Sequence, residues 1–539
     1  MRNLPTREGM AMMSYEDWLE QRRLDPNNEE VMRVSKLKNI WQAEGKARNL
    51  REWLADRVTL HTVDNLELAR PVAIKLAACD MLGLDIETAK TDPCHPQSGL
   101  NPKLSRIRLI QYCDGTDCYI FDQFKINSLD WIQPLLSVKT VAHNALFEAG
   151  HFMQQGMVFS NLHDSMLMGR VFFNENRALK DLAEECLDLG LDKTLQVSDW
   201  ARPKLLREQL EYAAADAVVA FELANVFDQW FAENVPHYRG AYTFLCSLIY
   251  PLSRQISKGV PFDVECHNRI ITDWEQARDD ALGQINIDNP NSAQQKQAWL
   301  TQALSDDELL DWPLTDNGNL STAREALENA SHIPAAKPLA EYTRITSRLS
   351  NFGLKVQAQL IDGRLYPGYQ IAGMVTGRFG CRNPNMQNMP RSGFKRCFSA
   401  PEGFVFVTGD LSQVELRVAG ILSGDDVINA AYSNGEDLHR SMAARMSGKA
   451  PGDVTKAERT AAKAVNFGLL FGAGAATLQR QAVSSYGVAM SLEEAEDYRQ
   501  LFFETYPQFR EWQQDIVKTT NLHESSKSNL IKLTRHYDE

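Results

Sequence analysis

The segment Leu82-Gly83-Leu84-Asp85-Ile86-Glu87-Thr88 constrains this chain more than any other. Its alternation has the period of a strand, with Leu82, Leu84 and Ile86 on one face and Asp85 and Glu87 on the other. Two neighbouring carboxylates repel each other unless a cation lies between them. If the pair is buried, hard oxygen ligands of this kind point to Mg²⁺ or Mn²⁺. Taken alone, the same pattern also fits a solvated strand face.

Two further pieces follow. His143-Asn144-Ala145-Leu146-Phe147-Glu148 places a carboxylate after an apolar strand end. Tyr212-Ala213-Ala214-Ala215-Asp216 lies in a helical run, and its i, i+4 spacing puts Tyr212 and Asp216 on one face. Each is equally consistent with an ordinary cap or surface pair. In this order, however, D-x-E, N-x-x-F-E and Y-x-x-x-D resemble the three motifs of the tyrosine-type DEDD 3′→5′ exonucleases. Leu179-Lys180-Asp181-Leu182 and Ser198-Asp199-Trp200 are similar to that family's connecting segments. The resemblance implies an RNase H-like domain in which Asp85, Glu87, Glu148 and Asp216 hold two metal ions and Tyr212 positions the attacking water. Glu148 stands where Asp is usual.

The C-terminal half carries a second set. Thr376–Arg396 reads TGRFGCRNPNMQNMPRSGFKR, with Arg378, Arg382, Arg391, Lys395 and Arg396, amides interleaved and no acidic residue. Cations suit phosphates and amides suit base edges, although a solvated basic loop has the same composition. Phe404-Val405-Phe406-Val407 reads as a short apolar strand ending at Asp410, and a helix follows. A carboxylate at that place is a natural metal ligand or a helix cap. Arg459, Lys463, Phe467 and Phe471 recur every four residues. On a helix they share a face, matching a triphosphate followed by a sugar and base, or forming an amphipathic face with snorkelling cations. No P-loop is present.

TGR…PNMQNMP, DLSQVELR and RTAAKAVNFGLLFG resemble, in sequence order, the pre-motif A segment and motifs A and B of the family A (DNA polymerase I-like) DNA polymerases. The segments around Asn289–Ser292 and Thr315–Thr322 resemble the thumb. The resemblance implies a right-hand polymerase domain and two Mg²⁺ (or Mn²⁺) ions per active site. Asp410 and the Leu411 carbonyl would hold the polymerase ions. Gln413, His439, Arg459 and Lys463 would bind the incoming nucleotide, with Lys463 also protonating pyrophosphate. Glu415 would reject a ribose 2′-OH. Phe467 and Phe471 would pack on sugar and base, Phe471 standing where Tyr is usual. Arg378, Gln387 and Asn388 would touch primer–template DNA.

The implied fold is α/β and α+β multidomain: a helical extension over 1–55, an exonuclease domain over 56–236, and a polymerase domain over 237–539. The last divides into thumb (237–355), palm (356–424), fingers (425–510) and a truncated end (511–539). The family's second catalytic carboxylate lies in a His-Asp-Glu motif C. Here 76 residues follow Lys463, and His536-Tyr537-Asp538-Glu539 only echoes that motif. The expectation is an incomplete palm, from a partial sequence, a truncated product or one half of a split polymerase with a separate C-terminal fragment. On that view the chain alone could act only as an exonuclease. The motif wording most resembles a bacteriophage replicative enzyme.

Composition agrees with this class. The 539 residues suffice for roughly three or four domains of ~150 residues. A hydrophobic share of 44% with 24% charged residues is ordinarily globular. A net charge of −13 argues against a wholesale nucleic-acid coat and leaves room for a local basic groove. The longest near-apolar run, Ala241–Leu252, is too short to span a bilayer, which takes ~20 residues. Met1–Asn49 has no apolar signal core, and the nine scattered cysteines form no C-x-x-C pair. A reducing cytoplasm, that of the host if the chain is viral, is therefore expected.

Overall fold

The structure, a computed structural model, describes residues 50–522 apart from 234–235, 311, 316, 331–332 and 391–392. Most of the expected N-terminal extension lies outside the described residues, as do Arg391 and the terminal Asp538 and Glu539. The described residues form two compact units, 50–260 with 358–388, and 261–357 with 389–522. The span expected to be palm is therefore divided between them.

The first unit is built on a mixed six-stranded sheet. Its strands are β1 (Thr59–Val63), β2 (Met81–Lys90), β3 (Ser105–Cys113), β4 (Asp117–Asp122), β5 (Lys139–Ala142) and β6 (Leu162–Asp164), in the order β1-β4-β3-β2-β5-β6. β2, β3 and β4 run as an antiparallel meander, while β1 joins β4, and β5 and β6 extend from β2, in parallel. Helices α1 (Leu50–Arg57), α2 (Leu66–Leu76), α3 (Leu146–Gln154), α4 (Ser165–Phe173), α5 (Leu179–Leu187), α6 (Arg207–Glu233), α7 (Pro236–Ser247) and α8 (Ile249–Lys258) complete the unit.

The central strand β2 behaves as its alternation requires. Leu82, Leu84 and Ile86 are buried in the core. The opposite face meets α6, whose buried run Ala213, Ala214, Ala217 and Ala220 keeps the helix thin where it crosses the sheet. At Gly83 the approach is closest: a Cβ there would lie 2.2 Å from the Ala217 carbonyl oxygen and 2.8 Å from Phe221 Cβ. The ladder between β2 and β3 slips after Glu87, a bulge that follows the two carboxylates directly.

Residues 358–388 are fastened to this unit by hydrogen bonds to their backbone. The buried Arg170 donates to the carbonyls of Met374 (2.6 Å) and Val375 (3.2 Å). Asn176 donates to the Ile371 carbonyl and Gln97 to that of Tyr366. The segment carries a short hairpin, β7 (Gly368–Gln370) with β8 (Gly380–Arg382).

The second unit is helical. α9 (Val264–Leu282) packs on α10 (Lys337–Phe352), with Phe394 buried among Phe262, His267, Trp274 and Phe352. Beyond residue 413 follow α11 (Val414–Ser423), α12 (Asp426–Ser433), α13 (Leu438–Ser447), α14 (Lys456–Leu470), α15 (Ala475–Tyr486), α16 (Leu492–Thr505) and α17 (Pro507–Leu522). They enclose a core of Leu416, Met442, Val465, Leu469, Phe502 and Phe509. The buried Asp425 caps α12 through the N–H groups of Val427 and Ile428 and accepts from the Phe509 N–H, tying α12 to α17.

One expected strand is not formed. Phe404–Val407 takes no regular structure, and its four side chains are 54–90% exposed. A strand needs a ladder partner, and among the described residues none pairs with it. Asp410, expected at the strand's end, is exposed on an irregular segment. No helix among the described residues is long and apolar enough to cross a membrane.

The contact at Gly83 yields a prediction. Gly83→Ala forces α6 off β2 and should lower stability by about 1–3 kcal/mol in denaturant unfolding. Gly115→Ala, in the turn between β3 and β4, meets only the ring of Phe221 and no backbone atom of α6. Divalent-cation binding should therefore weaken in the first variant and not in the second.

Candidate functional site

In the first unit the four predicted carboxylates come from three elements. β2 supplies Asp85 and Glu87, α3 supplies Glu148 and α6 supplies Asp216, one turn beyond the buried Tyr212. Asp85, Glu87 and Asp216 are half-buried; Glu148 is 2% exposed. The place of Glu148 is fixed by a residue that sequence reasoning missed. The buried Asp164 accepts from the N–H groups of Asn144 and Ala145 (both 3.0 Å) just before α3. The same carboxylate caps α4 through Met166 and Leu167. Burial still pushes Asp164 up to about 6, against these hydrogen bonds. His143 donates to or accepts from Ser165 Oγ at 3.0 Å, and burial lowers it to about 3, so it is neutral.

The four carboxylates feel one another. Burial pushes all of them upward, most strongly Asp85, Glu87 and Glu148. The charge of Asp216 adds to the shift of Asp85, and that of Asp85 to the shifts of Glu87 and Glu148. Burial, then the Asp216 charge, keeps the Tyr212 hydroxyl protonated. Glu148 Oε2 has no hydrogen-bond partner among the described residues. A buried carboxylate oxygen left in this way, facing like charges, is what a divalent cation would satisfy. The donor set, all oxygen and all anionic, suits Mg²⁺ or Mn²⁺.

Asp216 is already engaged. Lys193 Nζ donates to both of its oxygens, at 2.7 and 2.6 Å, and stands 5.2 Å from the centre of the Tyr212 ring. Among the described residues no three His, Cys, Asp or Glu side chains are gathered tightly enough to hold one ion between them. Lys193 also escaped the sequence reading; its one signal was its place just ahead of Ser198-Asp199-Trp200. A cleft of about 190 Å³ opens along one face of α3, lined by Asn144, Phe147 and His151 and by Tyr366, Tyr369 and Arg382 of the fastened segment.

The predicted DNA contacts of the fastened segment are exposed. Arg378 and Asn388 lie at its surface, and Gln387 donates to the Phe379 carbonyl at 2.8 Å.

In the second unit, α14 buries Ala462, Val465 and Leu469 and turns Arg459, Lys463 and Phe467 outward, each half-exposed. Phe471 falls just beyond the helix and is 70% exposed, so the four-residue repeat breaks at its last member. Asp437, overlooked in the sequence because it reads as a plain N-cap, joins several predicted residues. Its Oδ2 accepts from Arg459 Nε at 2.7 Å, and its Oδ1 from Gln413 Nε2 at 3.3 Å and from the His439 N–H. Burial alone would raise this carboxyl; the hydrogen bonds from Arg459 and Arg440 outweigh it and hold it low. Gln413 Oε1 accepts from the Tyr432 hydroxyl. His439 is buried against Asn466, and burial lowers it to about 4, leaving a neutral ring. Lys463 Nζ stands 5.7 Å from the Phe467 ring. Glu415 lies half-buried in the first turn of α11.

Comparison with known proteins accounts for both units. The DNA polymerase family A model matches residues 264–537, and a 3′-5′ exonuclease model matches residues 60–229. The chain is 32% identical over 435 residues to a DNA polymerase I of Aquifex aeolicus, covering 77% of this chain and 74% of that protein. It is 30% identical over 397 residues to a DNA polymerase I of Chloroflexus aurantiacus, covering 68% of this chain and 40% of that protein. In fold it is similar to the POL domain of Pol1 from M. smegmatis, solved in complex with DNA primer-template and dNTP. There the TM-score is 0.66 at 20% identity, covering 86% of this chain and 79% of that one. The chain therefore belongs to the family A DNA polymerases, and it joins a 3′→5′ exonuclease domain to a DNA-directed DNA polymerase domain.

The raised carboxylates set a pH dependence. A carboxyl whose folded value lies above its unfolded one binds more protons when folded, so its contribution to stability is lost as pH rises from the unfolded value of about 4. Without divalent cations, the unfolding temperature should fall as pH rises above the unfolded value of about 4. Asp85→Asn with Glu87→Gln should flatten that fall in calorimetry. Equal slopes in the two proteins would mean that the carboxylates do not repel as described.

Proposed function

We propose that the first unit removes nucleotides from primer 3′ ends and that the second binds deoxynucleoside triphosphates for template-directed DNA synthesis. Primer–template DNA is the shared substrate. The observation that carries the reading is the convergence of Asp85, Glu87, Glu148 and Asp216 beside Tyr212, with a buried Glu148 oxygen left without a partner. Asp85, Glu87, Glu148 and Asp216 would hold two Mg²⁺ or Mn²⁺ ions. Such ions supply an activated water and neutralise charge on the leaving 3′ oxygen. Tyr212 Oη keeps its proton and orients the attacking water. The cleft lined by Asn144, Phe147, Tyr366 and Tyr369 has the aromatic walls that stacked single-stranded bases require, and α3 contributes both to it and, through Glu148, to the carboxylate set.

On the second unit, Arg459 and Lys463 bind the triphosphate and Lys463 hands a proton to pyrophosphate. Phe467, and Phe471 beyond the helix end, pack on sugar and base. Gln413 and His439 line the site, Glu415 excludes a 2′-OH, and Asp410 with the Leu411 carbonyl binds the ions. Arg378, Gln387 and Asn388 contact the duplex. The domain boundaries proposed are those read from the motifs. The exposed Phe404–Val407 supports a further strand pairing with it, whether from this polypeptide or from a separate C-terminal fragment. The motif wording supports a bacteriophage enzyme working in a host cytoplasm, while the named relatives are bacterial.

The test is a gel with a 5′-labelled primer–template, Mg²⁺ and four deoxynucleotides. Asp85→Ala with Glu87→Ala should reduce primer shortening by roughly 10³-fold or more and leave DNA binding intact. Undiminished shortening would remove the assignment. Lys463→Ala should weaken nucleotide binding by roughly tenfold or more, the worth of a charge-assisted hydrogen bond. An unchanged nucleotide affinity would take Lys463 out of the site.

A further inference from the structure

Around the exonuclease carboxylates the charge is one-sided. Asp85, Glu87, Glu148 and, behind them, Asp164 press on one another, and Lys193 supplies the cation that opposes the charges of Asp85, Glu87 and Asp216. Its ammonium takes both oxygens of Asp216 at 2.6–2.7 Å. A divalent cation bound by Asp216 would need lone pairs on those same oxygens, and two cations within ~4 Å repel strongly in a partly desolvated site. Lys193 precedes a short 3₁₀ turn, Thr194–Val197, and its side chain is 24% exposed. The ammonium sits on a flexible four-carbon stem with a way out to solvent, and unlike a guanidinium it offers no rigid fork to lock the pair.

We propose that Lys193 is a built-in counter-cation of the exonuclease centre, a positioning residue that holds Asp216 until a divalent cation displaces it. The inference rests on the exonuclease reading above. Lys193 keeps the carboxylates assembled before the ions arrive, and it sets the free-ion concentration at which the centre loads. It also accounts for two features found together: four carboxylates that sense one another, and the absence of any three drawn in around a common point among the described residues.

The experiment is calorimetric titration of the full chain with MnCl₂, without nucleic acid. The proteins compared are the native one, Lys193→Met, Lys193→Gln, Lys193→Arg and the double variant Asp85→Ala with Glu87→Ala. Both neutral variants should bind Mn²⁺ about tenfold or more tightly than the native chain. Lys193→Arg, whose planar fork locks the pair with Asp216, should bind Mn²⁺ no more tightly than the native chain. Metal-free Lys193→Met should unfold at a lower temperature than the native chain, and the difference should close at saturating Mn²⁺. Equal or weaker binding by the neutral variants, with the double variant deprived of that binding, overturns the role of Lys193 alone. An absence of Mn²⁺ binding in the native chain and in every Lys193 variant overturns the exonuclease reading together with it.

Discussion

The exonuclease unit depends on one close contact, the passage of α6 over β2 at Gly83. Without a Cβ at Gly83, the Ala217 carbonyl can sit where a side chain would otherwise stand. That approach is what brings Asp216, one residue before Ala217, onto the face that carries Asp85 and Glu87. The alanines of α6 serve the same end by keeping its inner surface shallow. A bulkier helix would hold Asp216 farther from the strand carboxylates.

The contact has an electrostatic consequence. Placing like charges together in a desolvated site opposes folding, and each carboxyl responds by holding its proton more tightly. The unit offsets this in two ways. Asp164 fixes the turn before α3, and so the start of the helix that carries Glu148, with backbone hydrogen bonds. Lys193 supplies one positive charge. What is left, a buried Glu148 oxygen without a donor, is a deficit that an exogenous cation can fill.

The helical unit follows a different economy of charge. There Asp437 is shared among Arg459, Gln413 and the start of α13, so a single carboxylate orients several of the residues expected to meet a nucleotide. The outward face of α14 keeps Lys463 and Phe467 accessible because its inward face is committed to the core. Phe404–Val407 has no such commitment, and its apolar side chains stay in solvent.

By itself the sequence determined the central strand β2, the helical run that carries Tyr212 and Asp216, and the four carboxylates expected to act together. Period-two alternation fixed which face of β2 would be buried, and i, i+4 spacing put Tyr212 and Asp216 together, because both periodicities are local properties of the backbone. The tertiary structure alone decided whether those faces met solvent or one another. It answered the open question at Asp85 and Glu87 through the covering helix, broke the repeat at Phe471 by ending α14, and left the apolar run at Phe404 unpaired. It also introduced Lys193, Asp164 and Asp437. Each of these reads as an ordinary loop or cap residue, and each acquires its role from a partner that is distant in the chain or belongs to another element. Sequence patterns report what a residue does to its neighbours along the backbone, whereas a shared charge or a shared hydrogen bond exists only once folding has closed the loops between them.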